Sequence, residues 1–183
     1  MLLYYTGYQA IPSPDVMIGR INADFGQGFY LTENRAFALG WAPPKAGQTV
    51  YINTYDLDLT GLHVVRLRRD RTWSDYILNN RRALEDTMKE ADVIVGPIAN
   101  DTIYDTIGII TSGMLSPNET LRLLLIGPEY TQTVLKTEKA AARLTYRRAK
   151  ALSPDETFLA RSIIARGEMA YQALVARALE EMT

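Results

Sequence analysis

The sequence contains no cysteine and a single histidine, and these two shortages exclude several classes of protein chemistry. Without cysteine there is no disulfide framework, no thiolate nucleophile, no iron–sulfur cluster and no cysteine-ligated zinc site. With His63 alone, a metal site of two or three histidines is impossible, and a Ser-His-Asp triad would have to use that residue. Any chemistry must therefore rest on carboxylates, amides, hydroxyls, tyrosines and arginines.

Neither sign of charge dominates the sequence, and long apolar runs are absent. The 183 residues carry 20 basic and 21 acidic side chains, so the net charge of −1 gives no general attraction to nucleic acid. No apolar run approaches the roughly 20 residues of a membrane span, and the first residues lack the features of a signal peptide. We therefore expect an intracellular, cytoplasmic protein without membrane association.

The order of predicted elements indicates an α+β fold. Runs of apolar, β-branched and aromatic residues predict strands at residues 2–5, 28–32, 49–57, 62–67, 92–96, 132–136 and 144–146. Helices are predicted at 33–42, 73–82 with Thr72 as N-cap, 101–112, 117–126, and from Ser153 onward, with a short helix or turn at 137–143. Ser116 with Glu119 and Ser153 with Glu156 are predicted to form capping boxes at the starts of two of these helices. Strands and helices do not alternate as regular βαβ units, which favours α+β. We expect one domain at 1–150 and a helical extension at 151–183 that either packs on it or binds a partner.

The segment from Asp24 to Thr32, Asp-Phe-Gly-Gln-Gly-Phe-Tyr-Leu-Thr, is the first candidate site. Gly26 and Gly28 permit positive φ and a close approach of a ligand to the backbone. Tyr30 follows on a predicted strand, where an exposed ring can stack on a flat aromatic group. The alternative is a glycine-containing hairpin that leads into a core strand.

The second candidate is formed by Asn100 and Asp101, which directly follow a predicted buried strand. Polar residues at the end of such a strand often bind ligands. The same residues could instead cap the following helix, and the two roles are compatible.

Two basic groups could contact phosphates. They are Arg66, Arg68, Arg69 and Arg71, and Arg143, Arg147, Arg148 and Lys150. Neither group is interleaved with the aromatic residues of a nucleic-acid platform, so a solvated face with salt bridges is the favoured interpretation.

Several of these motifs together resemble a known family. The strings Leu-Tyr-Tyr-Thr-Gly, Asp-Phe-Gly-Gln-Gly-Phe-Tyr-Leu-Thr, Ala-Leu-Gly-Trp-Ala, Gly-Pro-Ile-Ala-Asn-Asp and Gln-Thr-Val-Leu-Lys-Thr begin at residues 3, 24, 38, 96 and 132. Their order is similar to that of an uncharacterised bacterial family grouped with the ADP-ribosyltransferase fold, whose members are often toxins of toxin–antitoxin pairs. The resemblance covers about residues 2–148 and implies a split mixed and antiparallel sheet core with flanking helices.

The resemblance also implies roles for individual residues. In that fold, a first-strand His or Arg grips the NAD ribose, a second-strand Tyr stacks on nicotinamide, and a later Glu stabilises the oxocarbenium-like centre. The corresponding positions here fall at Tyr5 (followed by Thr6 and Gly7), Tyr30 and Gln132. The resemblance thus implies Tyr30, Gln132 and Asp101 as catalytic residues. It implies NAD-binding roles for Tyr5, Thr6, Gly7, Asp24, Phe25, Gly26, Gly28 and Asn100.

Gln132 differs from the family pattern because its amide can bond a hydroxyl but carries no charge. Three outcomes remain open: Asp24 or Asp101 supplies the missing carboxylate, turnover is slow, or the fold only binds its ligand. The resemblance therefore implies an NAD-dependent mono-ADP-ribosyltransferase, with NAD as its substrate and an antitoxin protein as a partner. The alternatives are a non-catalytic member that binds a nucleotide or a protein, and an enzyme that acts on another nucleotide.

Overall fold

The computed structural model of the chain describes residues 1–103 and 107–182. Within them, the strands are β1 (Leu2–Gly7), β2 (Phe29–Leu31), β3 (Tyr51–Leu57), β4 (Val64–Arg66), β5 (Val93–Pro97), β6 (Thr131–Leu135) and β7 (Leu144–Ala151). The helices are α1 (Arg35–Ala38), α2 (Arg71–Arg81), α3 (Asn100–Ile103), α4 (Ile107–Thr111), α5 (Pro117–Leu124), α6 (Glu138–Ala141) and α7 (Pro154–Glu180). This content confirms the α+β class and the long C-terminal helix.

The strands form two sheets that meet at one point. The first sheet is antiparallel with the order β1-β3-β7. The second has the order β2-β6-β5-β4 and is mixed, since β4 and β5 run parallel whereas the other pairs are antiparallel. Tyr4 in β1 and Thr32 after β2 exchange two backbone hydrogen bonds of 2.8 and 3.1 Å, which join the sheets.

The register of the second sheet decides which side chains face each other. Tyr30 in β2 pairs with Val134 in β6. Because side chains alternate along a strand, Gln132 lies on the same face as Val134 and therefore on the same face as Tyr30. Phe29 and Leu31 point to the opposite face and pack into a second cluster of buried apolar residues. The sheet is thus covered on both faces.

The C-terminal helix α7 packs into the main core. Tyr171 and Val175 belong to the same buried cluster as Phe25 and Trp73. β7 continues to Ala151, so residue 150 lies inside a strand. The helix is therefore attached to the rest of the chain both by a strand and by buried side chains.

Two capping boxes predicted from the sequence are confirmed. The hydroxyls of Ser116 and Ser153 accept hydrogen bonds from the backbone N–H groups of Glu119 and Glu156. In return, the backbone N–H of each serine donates to the carboxylate of the same glutamate. These contacts satisfy N–H groups that have no partner within the helix. Among the described residues, no helix is both long and apolar enough to cross a membrane.

Other predicted boundaries were wrong. The helix predicted at 33–42 is only α1, because the backbone after Ala38 forms turns in which the Gly40 and Trp41 N–H groups donate to the carbonyls three residues back, each at 3.1 Å. Asp70 caps α2 in place of Thr72, since the Asp70 carboxylate accepts the Trp73 N–H at 3.1 Å. The last sheet strand is longer than predicted and runs to Ala151.

The helix predicted at 101–112 is described as two short pieces. α3 ends at Ile103 and α4 begins at Ile107. The remaining residues of that prediction, 104–106, lie outside the described residues.

Candidate functional site

A cleft of about 380 Å³ opens between the second sheet, α1 with its following turn, and the first half of α7. This volume lies at the lower end of the range for small-molecule sites. The described residues that line it combine aromatic, cationic and apolar groups: Arg20, Tyr30, Phe37, Gly40, Trp41, Ile98, Gln132, Arg161 and Ile164. Of the residues singled out in the sequence for NAD binding or catalysis, Tyr30 and Gln132 are part of this lining.

Tyr30 forms a rigid wall of the cleft. Its hydroxyl donates to the Gly26 carbonyl at 2.6 Å and accepts from the Phe25 N–H at 3.0 Å. Burial raises the pKa of the Tyr30 phenol, so the group stays neutral at physiological pH. With both hydrogen-bonding roles of the hydroxyl engaged, the ring itself is the part of Tyr30 left for a ligand, and it is suited to stacking.

Gln132 places an amide at the base of the cleft. The residue is only 6% exposed, and its Nε2 has no hydrogen-bond partner within the described part of the chain. In the neighbouring strand it pairs with Gly96, which brings no side chain to the face that Gln132 shares. Leaving a buried donor without an acceptor costs about 1–3 kcal/mol of stability. A ligand that offers an acceptor to Gln132 Nε2 would remove this cost, which favours its binding.

Arg20 and Arg161 bring positive charge to the cleft. Both are exposed, and neither forms an ion pair with another described residue. Arg161 Nη1 donates to the Gly40 carbonyl at 3.1 Å, which holds that side chain near the turn after α1. Sequence reasoning missed both residues. One lies in a loop and the other on a long helix, and no local pattern marks either of them.

The residues of the first-strand motif lie behind the cleft. The Tyr5 ring packs against Phe29 with ring centres 5.1 Å apart and meets Trp41 edge-on at 6.4 Å. Trp41, rather than Tyr5, lines the cleft. Burial raises the pKa of the Tyr5 phenol. Thr6 is buried, and a Cβ at Gly7 would lie 2.7 Å from the Tyr5 ring, so the glycine makes room for that ring.

Asp24 and Asp101 form a buried ion cluster with Arg81 of α2. Arg81 Nε donates to Asp24 at 2.8 Å, and its two terminal nitrogens donate to Asp101 at 2.7 and 3.0 Å. Burial raises the pKa of the Asp24 carboxyl, an effect that the Arg81 charge opposes. Neither carboxylate lines the cleft. The structure therefore places both candidate acids in this ion cluster and not in the cleft lining with Gln132.

Asn100 holds a turn next to the cleft. Its Nδ2 donates to the Ile126 carbonyl at 2.7 Å and to the Pro128 carbonyl at 2.8 Å. This pair of bonds closes the turn at residues 126–128. A single amide thus satisfies two carbonyls, and the side chain acts as a structural clamp.

The backbone geometry of this fold requires glycine at both positions of the Gly-x-Gly segment. Gly26 has φ +73°, a conformation that favours glycine, and its carbonyl receives the Tyr30 hydroxyl. A Cβ at Gly28 would lie 2.6 Å from the Leu135 carbonyl oxygen in β6. Phe25 is fully buried in the main core, and its own carbonyl accepts Lys136 Nζ at 2.5 Å. The segment therefore supports Tyr30 from behind.

Comparison with known proteins gives one match. No curated protein and no solved structure matches the chain. A family model described as "protein of unknown function (DUF3990)" matches residues 1–146. These residues include both sheets except the last five residues of β7, and they include the cleft residues Tyr30 and Gln132. Because the match spans well over half of the sequence, the chain belongs to this family of unknown function.

Proposed function

We propose that the chain is an NAD-dependent mono-ADP-ribosyltransferase that binds NAD in the cleft. In this proposal the nicotinamide stacks on Tyr30, Gln132 Nε2 donates to a ribose hydroxyl, and Arg20 and Arg161 neutralise the phosphates. The proposal extends to the fold, since the two sheets would be the split sheet of ADP-ribosyltransferases. It rests on one observation: Gln132 Nε2 is buried and has no hydrogen-bond partner among the described residues, and Gln132 lies on the same sheet face as Tyr30.

The reaction needs charge stabilisation and no metal or thiolate. The bond between ribose C1′ and the nicotinamide nitrogen breaks, and nicotinamide leaves with the bonding electron pair. Positive charge then develops on the ribose until the acceptor nucleophile attacks C1′ and releases its proton to solvent. The Gln132 carbonyl can offer a dipole to that charge but not a full negative charge. The dipole stabilises the transition state less than a carboxylate would, by several kcal/mol. We therefore expect slow turnover.

A second candidate function is nucleotide binding without transfer. It is favoured by the lack of any carboxylate among the described residues that line the cleft. The two acids nearest in sequence to the motifs, Asp24 and Asp101, are held by Arg81. In either case we propose that an antitoxin-like protein partner acts by covering the cleft.

Calorimetry with NAD and detection of released nicotinamide test both candidates. We expect the wild-type chain to bind NAD and release nicotinamide slowly, and Tyr30→Ala to lose binding. Gln132→Glu places a carboxylate beside the developing charge and should accelerate release at an NAD affinity close to that of the wild type. Gln9→Glu, the same change at an exposed position outside the cleft, is the matched control and should have no effect.

The outcomes separate the two candidates. Binding without release, both in the wild type and in Gln132→Glu, would support the second candidate over the first. If labelled NAD neither binds nor transfers its label to lysate components, the first candidate is refuted, and so is the second with NAD as the bound nucleotide.

A further inference from the structure

A second concave site lies on the first sheet, separated from the cleft by α1. It is a depression of about 460 Å³ built by β1, β3, β7 and α1. In the sheet register, Thr54 of β3 pairs with Tyr4 on one side and with Arg148 on the other. Residues paired across strands share a face, so Tyr4, Thr54 and Arg148 form one row across the sheet.

A β-bulge concentrates positive charge at this depression. The pairing of β3 with β7 shifts between Thr54 and Tyr55, which leaves Arg147 as the extra residue beside Arg148. Both arginines line the depression, whereas regular alternation would turn one of them to the opposite face. The bulge thus re-aims a side chain, as bulges at binding sites often do.

The charge at the depression is only partly neutralised. The cations that line it are Arg35, Arg147, Arg148 and Lys150, and no carboxylate lines it among the described residues. Arg147 pairs with Asp56, and Lys150 pairs with Glu156 at 2.6 Å. Arg35 and Arg148 are exposed and form no ion pair within the described residues. Two uncompensated guanidinium groups therefore face one concave surface in a chain whose net charge is −1.

We propose that this depression binds single-stranded nucleic acid. Arg35 and Arg148 would contact phosphates, and the Tyr4 ring would stack on a base, with the exposed Leu2 beside it. A groove that combines cations with an aromatic platform is the usual arrangement for single strands. The basic segment 143–150 has no such arrangement in the sequence, but the fold brings Tyr4 of β1 to it across β3. An acidic peptide would satisfy the arginines but leave the aromatic surface without a role.

The position of the depression suggests what the bound strand is for. α1 presents Arg35 to the depression and Phe37 to the cleft, so one helical turn separates the two sites. The bound strand would be the acceptor of the ADP-ribosyl group: a base amine or hydroxyl attacks ribose C1′, nicotinamide leaves and the proton goes to solvent. This last step rests on the proposed function, whereas binding of the strand does not.

Fluorescence anisotropy with a short labelled single-stranded oligonucleotide, without NAD and at low salt, tests the binding. We expect Arg35→Ala and Arg148→Ala each to weaken binding about tenfold and to reduce the slope of log K against log salt by about 0.7. Arg143→Ala removes the same charge from an exposed arginine that pairs with Asp58 outside the depression. That matched control should bind like the wild type. Tyr4→Phe should retain binding, and Tyr4→Leu should weaken it.

Three results would overturn the proposal. These are the absence of binding at low salt, equal losses in Arg143→Ala and Arg148→Ala, and competition by polyglutamate as strong as that by the unlabelled oligonucleotide. The last result would assign the depression to an acidic peptide. If the oligonucleotide binds as expected but acquires no label from NAD, the binding site stands and its role as acceptor is refuted.

Discussion

Arg81 and Asp101 form a two-point ion pair in the interior, with N–O distances of 2.7 and 3.0 Å. Their side chains are 4% and 0% exposed. The third nitrogen of the same guanidinium contacts Asp24, so one cation serves two carboxylates. Asp24 belongs to the loop before β2, Arg81 ends α2 and Asp101 lies in α3. The cluster therefore ties three segments together and depends on all of its members.

Removing the cation from this cluster should strongly destabilise the fold. Arg81→Met leaves two buried carboxylates without their cation, and breaking a buried pair in this way costs about 3–5 kcal/mol. Urea denaturation measures the loss. Arg71→Ala is the control, because its pair with Asp75 is exposed and is worth at most about 1 kcal/mol.

Asp101→Asn separates a structural from a catalytic role. We expect it to lower the free energy of unfolding and to leave the NAD affinity of the folded fraction intact. A variant that is as stable as the wild type but has lost nicotinamide release would contradict the structural assignment.

The ionised Asp92 carboxylate should stabilise the fold, and this stabilisation should be lost at acid pH. The pKa of its carboxyl is lowered to about 2, first because Lys139 donates to it and next because the His63 backbone N–H does, each at 2.8 Å. The unfolded value is about 3.9, so the stabilisation is fully present above about pH 4 and is lost as the pH falls toward 2. Since Lys139 is largely exposed, solvent screening limits the contribution of Asp92 to the free energy of unfolding to about 1–2 kcal/mol.

The measurement is urea denaturation of the wild type and Asp92→Asn across that pH range. The difference in unfolding free energy should be largest near pH 7 and should narrow toward pH 2. A difference that is the same at both ends would show that charge does not contribute.

The Tyr30 hydroxyl should stabilise the segment that supports the cleft. Tyr30→Phe keeps the ring but removes the partner of the Phe25 N–H and the Gly26 carbonyl. We expect a loss of about 1–3 kcal/mol in unfolding free energy and weaker NAD binding in calorimetry. Tyr8→Phe loses one exposed bond to the Pro43 carbonyl and should cost less than about 1 kcal/mol. Equal effects of the two variants would contradict the prediction.

The C-terminal helix should be required for the stability of the whole fold. Tyr171 is 2% exposed in the main core, whereas Met169 on the same helix is 75% exposed. Tyr171→Ala should cost about 3–5 kcal/mol, and Met169→Ala should stay within about 0.5 kcal/mol of the wild type. Chemical denaturation of both variants checks this, and a small effect of Tyr171→Ala would indicate that α7 is a dispensable arm.

Elements defined by neighbouring residues could be predicted from the sequence. The capping boxes at Ser116 and Ser153 are closed by glutamates three residues further along, so a short window contains the whole signal. The strand near 92–96 follows from a continuous apolar run, and the strand near 132–136 is indicated by the β-branched Thr133 and Val134 followed by Leu135. The end of α1 was mispredicted because residues 39–42 have a helical composition, whereas the N–H groups of Gly40 and Trp41 bond three residues back, in turns.

The candidate site could be predicted only in part. Tyr30 and Gln132 stand on strands that the sequence indicates, but their shared face depends on the register between β2 and β6. Arg20 reaches the cleft from a loop and Arg161 reaches it from α7, and no local sequence pattern predicts either position. Asp24 and Asp101 were candidates because they are acidic and follow motifs, and only the fold reveals Arg81 between them.

The sequence by itself determined the α+β class, the starts of α5 and α7, and the chemistry that a chain without cysteine and with one histidine can perform. These properties follow from composition and from hydrogen bonds within a few residues. The tertiary structure decided which carboxylates pair with Arg81 and which arginines reach the cleft. It also decided that Tyr4 lies beside the arginines of β7. Those relationships join residues far apart along the chain, because strand register and helix packing set distances that local sequence does not encode.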